Sequence, residues 1–550
     1  MRFKLLCIAS LLASVFAANA QKVDENGVLT ECSFISGEYT IPSNVKEIGE
    51  GAFFYSGVTK VTIPKSVERI EKSAFGYCQS LTDIVFEEGS HLKTVCDLAF
   101  TECIQIKEIA FPNSVDSIGR SVFTFCDNLA KVTLPTSLKR LSYGSFSSCA
   151  ALKKLDIPAS VKVIEDFAFG NCTNLLSIKL GQPDSIGTKA FYHCENLTSV
   201  TIPNTVKILG DSVFMRCTSL ENLNIPASVE KIGDKLFVRT PDFAGYTVDE
   251  GNEHFVADKG VLYSKDKTVL YECPQTYTSE MFEVPSSVNT IRPMAFYECM
   301  NVKGIKIPDG LAGLGIAALA NNGMTKFDFA GNDKYFSILG NIYVKLKEDK
   351  GLALLAMPTK SEVDSLVVAP GTIMIADMVA MNNTNLKKVY IPESLQFVGA
   401  RAFYGCTGLS DIYAWPKKAP KLLEQAFAET IFPNVQLHVY AGSAESYQLA
   451  SWPFAYGDDI TDETSYPEVY PTSSESISDA KVSVVRNAED IVISANKEIR
   501  SVHMYGMAGN MEVALESVNN NVAILPVPSQ GNIYIVKIVF ADNSSVVNKI

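Results

Sequence analysis

The feature that most constrains this chain is a recurring phenylalanine. A small or apolar residue followed by phenylalanine falls at Ala52-Phe53, Ala74-Phe75, Ala99-Phe100, Val122-Phe123, Ser145-Phe146, Ala168-Phe169, Ala190-Phe191, Val213-Phe214 and Leu236-Phe237, so that successive phenylalanines are 22, 25, 23, 23, 23, 22, 23 and 23 residues apart. The stretch from Leu152 to Leu175, LKKLDIPASVKVIEDFAFGNCTNL, shows one unit complete. A period this regular means a chain wound into coils. Each coil leaves an apolar edge that only its neighbours can bury.

The chemistry of one coil follows from its residues. In Leu197 to Pro203 the apolar Val200 and Ile202 alternate with Ser199 and Thr201, the period of a strand with one face buried. Pro203 lacks an amide donor and ends the strand. A second apolar pair follows (Val206, Leu209), often trailed by glycine as in Ile118-Gly119, Ile186-Gly187 and Ile232-Gly233, where a tight corner with positive φ is expected. The small residue and phenylalanine then turn into the core. Stacked, such coils add their strands to a parallel sheet along one side.

The string [VI]-x-x-I-G-x-x-A-F-x-x-C-x-x-L-x-x-[VI]-x-I-P, running from about Ile41 to Ile431, resembles the BspA-like leucine-rich repeat proteins of bacterial surfaces and secretions. Its period lies within the roughly 20–29 residues of leucine-rich repeats. The resemblance implies a right-handed solenoid of about 22–23-residue coils with a parallel β-sheet on one face. It also implies adhesion, since several members attach to host proteins or other bacteria.

Around the array the chain changes character. Residues 1–20, MRFKLLCIASLLASVFAANA, have a basic start, a short apolar run and Ala18-Asn19-Ala20, the layout of a cleaved secretory signal. Cys7 has no small-residue lipobox before it, and no later stretch is long and apolar enough to span a bilayer. The expectation is an exported chain that is not an integral membrane protein. Residues 21–40 read as an N-terminal cap with a hairpin at Asn26-Gly27, and residues 41–455 as the solenoid. Two similar interruptions lie near 249–285 and 329–368. Each pairs a Gly-Asn (Gly251-Asn252, Gly331-Asn332) with a later glycine (Gly260, Gly340) and predicts a β-hairpin with a charged tip, at Ser264 to Lys267 and at Lys345 to Lys350. They read either as tolerated insertions or as binding projections. The residues from Val435 to Tyr440 predict a strand, and those from Ser443 to Ala450 a short helix capped by Ser443. Trp415 and Trp452 lie in this region and are expected to close the last coil rather than stack on a sugar.

Residues 456–480, acidic and rich in Ser, Thr and Pro, predict an extended linker. Residues 481–550 have no repeat and no cysteine, and their short alternating runs predict a small antiparallel β-sandwich. Val502 to Gly509, Gly531 to Ile538 and Val547 to Ile550 resemble the C-terminal sorting domains of type IX secretion, although Asn510 stands where those tails carry a basic residue. The resemblance implies export machinery as a partner. An accessory β-domain is the other reading.

Composition excludes several functions. The formal charge of -13, which falls to -15 once Arg2 and Lys4 leave with the signal, provides no electrostatic footprint for nucleic acid. Nine cysteines sit three residues after the repeat phenylalanine (Cys78, Cys103, Cys126, Cys149, Cys172, Cys194, Cys217, Cys299, Cys406), and Asn322 and Asn383 take that place in other coils. This interchange points to a buried ladder of free thiols rather than disulfides. Cys32, Cys96 and Cys273 lie off the ladder. No close CxxC pairing, HExxH, GxSxG or phosphate loop occurs, and the five histidines are scattered. No catalytic residue, metal site or cofactor is expected.

The outward strand positions are the candidate functional surface. Lys107, Lys131, Lys153, Lys154 and Lys179 cluster there, as either a solvated face or a strip preferring anionic ligands. The function expected is that of a non-enzymatic, adhesin-like exported protein, secreted or associated with the outer membrane, that binds host or bacterial proteins or glycans. A structural component of the cell envelope is the alternative, and a hydrolase a remoter one.

Overall fold

The computed structural model describes residues 22–329, 331–347, 350–430, 435–455 and 460–463, and in the tail 482–486, 490–506, 511–516, 518, 520–526, 534–541 and 545–549. The signal sequence and most of the acidic linker lie outside the described residues. The chain divides into two compact units, residues 1–266 with 271–276, and residues 267–270 with 277–550.

The first unit is a parallel β-solenoid. Each regular coil has three sides. The L-x-x-V-x-I run forms one strand, for example Lys154–Asp156, paired in parallel and in register with Ser177–Lys179. The second apolar pair forms a two-residue strand, for example Val163–Ile164, paired in parallel with Ser185–Ile186. So the segment read from sequence as a corner is a second parallel ladder. Within residues 21–40, Val28–Leu29 and Ser36–Thr40 pair in parallel with Glu47–Ile48 and Gly57–Ile63.

The third side is the Ala-Phe turn, in which every amide is accounted for. Gly51, Phe53 and Tyr55 donate to the carbonyls of Lys72, Ala74 and Gly76 in the next coil (3.0, 2.7 and 3.1 Å). Ala52, Phe54 and Ser56 instead close tight turns onto Gly49, Gly51 and Phe53 (3.2, 2.9 and 2.8 Å). Inside, Phe53, Phe75, Phe100, Phe123, Phe146, Phe169, Phe191, Phe214 and Phe237 stack with centroids 4.7 to 5.7 Å apart and planes within 16° of parallel. A regular period thus becomes a continuous aromatic column, and burial of each ring contributes about 2–3 kcal/mol.

The glycines after the second apolar pair need a correction. Gly119, Gly187 and Gly233 are not among the glycines with positive φ. They are required by close approach: a Cβ on Gly187 would lie 2.4 Å from Asp166 Oδ1 and 2.6 Å from Asp166 N in the preceding coil. Coils there pack backbone to backbone.

The two interruptions are anchored alike, each by an asparagine. Asn252, buried, donates through Nδ2 to the carbonyls of Pro226 and Val229 (2.8 and 3.0 Å) and accepts through Oδ1 from the amides of His254 and Phe255 (2.8 and 2.7 Å). Asn332 repeats the pattern with Asp309, Leu311, Lys334 and Tyr335. Phe255–Asp258 pairs antiparallel with Val261–Ser264, and Tyr335–Ile338 with Asn341–Lys345. These hairpins turn at Lys259-Gly260 and Leu339-Gly340, both residues of each having positive φ. The expected hairpins with charged tips are formed by the next pair of strands, Val261–Ser264 with Val269–Glu272 and Asn341–Lys345 with Leu352–Ala356. In the second interruption Asn341–Lys345 continues into Leu352–Ala356, making a three-stranded meander. Phe255, Tyr263 and Tyr343 are buried, so these strands join the core rather than project from it.

In the second unit the same coil resumes. Buried apolar residues run from Phe282 onward, and the cluster from Tyr343 to Ala455 is closed by Tyr447, Trp452 and Phe454. Trp452 is fully buried and donates from Nε1 to Pro420 O (2.9 Å). The helix Ala444–Leu449 forms, but Ser443 does not cap it through its side chain; its hydroxyl donates to Tyr440 O instead. Ile460–Glu463, within the expected linker 456–480, pairs in parallel with Gln436–Tyr440.

The tail is antiparallel. The 17-residue strand Asp490–Gly506 pairs through its first half with Val482–Arg486 and Asn520–Pro526, and through its second half with Met511–Leu515 and Tyr534–Phe540. Register breaks between Ser494 and Ile499 separate the halves. Both halves contribute to one core (Ile491, Ile493, Val502, Met504, Leu525, Ile538) within a single six-stranded antiparallel sheet built on one long strand.

Candidate ligand-binding face

Many polar residues of the coil serve the scaffold. Ladder cysteines donate backwards to the preceding phenylalanine carbonyl: Cys103 to Phe75 (3.0 Å), Cys126 to Phe100 (3.1 Å), Cys172 to Phe146 (3.1 Å) and Cys217 to Phe191 (3.1 Å). Burial pushes the Cys172 and Cys217 thiols up to about 12, which makes them poor nucleophiles. The ladder cysteines from Cys78 to Cys217, and Cys406, are free thiols, as the ladder reading expects. Asn322 and Asn383 serve the same turn differently, accepting from amides two or three residues ahead in their own coil. Serines after the strand-ending proline also reach the preceding coil, as Ser228 does to Val206 O (2.8 Å). Asn128, Asn174 and Asn196 bond carbonyls of the preceding coil, and Asp97, Asp166 and Asp211 accept from amides of the next.

What remains free is the outward side of the longer strands. Lys131 and Lys154 occupy the first outward strand position and Lys179 the third; Lys107 and Lys153 stand one residue before their strands. All five are exposed. They do not form one uniform strip. Lys107 and Lys131 belong to one two-stranded ladder, and Lys153, Lys154 and Lys179 to the next. Lys131 Nζ lies 3.1 Å from Glu108 Oε2, an exposed pair worth roughly 0–1 kcal/mol. Lys179 stands in register beside Asp156. Among the described residues the other four lysines make no ion pair.

Sequence reading missed three further groups. In coil after coil, the residues two before and two after the repeat phenylalanine have positive φ, from Gly51 and Tyr55 to Gln425 and Glu429. No Val, Ile or Thr occurs among the described residues with positive φ, because a branched Cβ clashes there. That depletion was the available signal for two further surface columns. In the second unit Tyr390, Tyr413 and His438 stack on neighbouring strands, with centroids 4.7 and 4.3 Å apart. His438 is fixed between Asp411 Oδ1 (3.1 Å) and Thr461 Oγ1 (2.9 Å). Trp415 lies at the end of this row, half-buried with its ring edge-on to Tyr440. Finally, Glu272 is a buried carboxyl that accepts from Tyr246 Oη (2.7 Å) and Phe237 N (3.0 Å); burial raises it to about 7.

Among the described residues no group of three or more His, Cys, Asp or Glu could hold a metal ion, and no helix is long and apolar enough to cross a membrane.

The chain is similar in fold to several solved proteins. A leucine rich cell surface protein of Faecalibacterium prausnitzii is 21% identical over 71% of this chain and 92% of its own, with a TM-score of 0.42. A leucine-rich repeat protein of Bacteroides ovatus is 21% identical over 76% and 97%, with a TM-score of 0.36. The T. pallidum leucine rich repeat protein is 26% identical over 36% and 86%, with a TM-score of 0.29. No curated protein matches the sequence. The family model for the BspA type leucine rich repeat region matches in overlapping copies at residues 25–153, 93–183, 143–256, 267–342 and 373–454, most of the chain. Period, ladder and coil geometry agree with that match, and the chain belongs to the BspA type leucine-rich repeat family.

Proposed function

We propose that the protein is an exported, non-enzymatic binding protein, adhesin-like in action, whose solenoid strand face engages host or bacterial proteins or glycans. The observation that carries this is the division of labour within each coil. Cysteine, serine, asparagine and aspartate are spent on neighbouring backbones, while the outward strand positions change chemistry from coil to coil. A rigid array with a freely varying face is suited to recognition. Lys107, Lys131, Lys153, Lys154 and Lys179 are the proposed contact set, and an anionic or mixed protein surface the ligand they favour. Binding of the full chain to a panel of matrix glycoproteins, against a variant with these five lysines changed to glutamate, tests it. Retention by the parent and loss by the variant, at equal melting temperature, is the expected result. Equal retention removes the face from consideration.

The proposal extends to delivery: residues 1–20 direct export and residues 481–550 act with the type IX machinery. The motif residues Met507 to Asn510 and Gly531 to Ile533 lie outside the described residues. The apolar core of the antiparallel tail sheet and its strand Tyr534–Phe540 support the reading. Deleting residues 481–550 is expected to abolish surface delivery; unchanged delivery would make the tail an accessory domain.

A further inference from the structure

A second surface, separate from the strand face, lies on the Ala-Phe turns of four successive coils in the first unit. Arg120 Cζ sits 5.0 Å from the Tyr143 ring centroid. Tyr143 and Phe167 are 5.8 Å apart, and Phe167 and Tyr192 6.1 Å. Lys189 Nζ lies 5.3 Å from the Phe167 ring and 5.9 Å from that of Tyr192. The result is a ribbon of rings one coil apart with a cation near each end.

Its construction is specific. Phe167 has a φ of 55°, a backbone region that bulky residues avoid. Its ring lies over Gly170, where a Cβ would come within 3.0 Å of Phe167 Cδ1. The nearby carboxylates are turned onto the scaffold: Asp97 Oδ1 accepts from Arg120 N (2.7 Å), Glu165 Oε2 from Tyr143 N (2.9 Å) and Asp166 Oδ1 from Thr188 N (2.7 Å). Among the described residues neither Arg120 nor Lys189 makes an ion pair. A guanidinium over a ring keeps N–H donors for a carboxylate or sulfate, and an ammonium near two rings does the same.

We infer that this ribbon binds a linear acidic glycan lying along the solenoid axis. The C–H faces of its sugar rings would pack on Tyr143 and Phe167, and its acid groups would meet Arg120 and Lys189. An acidic peptide would need the cations but not the row of rings. The chain's formal charge of -13 opposes long-range attraction of any polyanion, so recognition must come from these short contacts.

The probes are polygalacturonate, its fully methyl-esterified form and polyglutamate, each immobilised and exposed to the full chain. Polygalacturonate is expected to retain the chain and the uncharged ester not to. Arg120→Gln with Lys189→Asn should weaken retention by about tenfold or more, the scale of losing charge-assisted hydrogen bonds. Tyr143→Ser with Phe167→Asn should do the same; asparagine is chosen because it accepts positive φ. Melting temperatures control for folding, and Arg120→Gln alone keeps the test available should a double variant fail to fold. A variant with the five strand-face lysines changed to glutamine should bind polygalacturonate like the parent, so this inference and the strand-face proposal can fail separately. No retention of polygalacturonate would overturn the inference. So would polyglutamate binding that is as tight and indifferent to the ring substitutions, which would mark an acidic-peptide surface instead.

Discussion

Glu272 shows how much one residue can carry. Its carboxyl is buried and rises to about 7 against an ordinary value of 4.5, first through desolvation. An acid raised on folding prefers to be protonated in the native state. Its contribution to stability is therefore complete below about pH 4.5 and is lost as pH rises toward 7, by about 3 kcal/mol in all. Glu272→Gln should remove that fall, seen as a flatter dependence of unfolding free energy on pH between 4.5 and 7.5; parallel curves for parent and variant would contradict it. The ladder thiols make a second residue-scale prediction. Being buried, they should be silent to a thiol reagent in the native protein and titrate fully after denaturation without reductant. The cysteine ladder was legible because asparagine takes the same place at Asn322 and Asn383. Glu272 was not, because nothing in a sequence such as VLYECP marks which carboxylate the fold will bury.

At the scale of the element, the coil's demands explain which positions tolerate change. Gly187→Ala would drive a methyl into Asp166 of the preceding coil, and a loss of about 1–3 kcal/mol is expected from urea unfolding. Asn252→Ala would leave two amides and two carbonyls without their partner and should cost about 2–4 kcal/mol; a smaller loss would mean that water replaces the anchor. The two Gly-Asn pairs were visible in the sequence as a coincidence of spacing, whereas their four-bond anchor required coordinates. The glycine that often follows the second apolar pair reads from sequence as a positive-φ corner, whereas in the structure it answers the close approach of the preceding coil. A tight corner and a close neighbouring backbone leave the same residue in a sequence, and only inter-coil distances separate them. The strand face could be listed from the period-two pattern. The turn columns were hidden because positive φ leaves its mark as an absence of Val, Ile and Thr.

Over the whole molecule, repetition fixes the architecture and leaves function to the residues the repeat does not use. The stacked phenylalanines, the two ladders and the inter-coil side-chain bonds all follow from one template, so the fold was largely readable from periodicity alone. The surfaces were readable only in part. The five lysines were found as a cluster, yet register sets Glu108 and Asp156 among them. The Arg120 to Tyr192 ribbon joins residues about 23 apart in the chain, a proximity that stacking creates. The central claim is that scaffold and recognition occupy different positions of the same coil. It is tested most directly by substituting every position from Leu152 to Leu175 in turn and measuring both folded stability and retention on the matrix glycoprotein panel. Changes at Leu155, Ile157, Val161, Ile164, Phe169 and Cys172 should destabilise the protein, by about 3–5 kcal/mol for Phe169→Ala. Changes at Lys153, Lys154 and Asp156 should alter retention while stability stays within about 0.5 kcal/mol of the parent. Exposed substitutions that leave retention unchanged, or that destabilise as the buried ones do, would contradict the account.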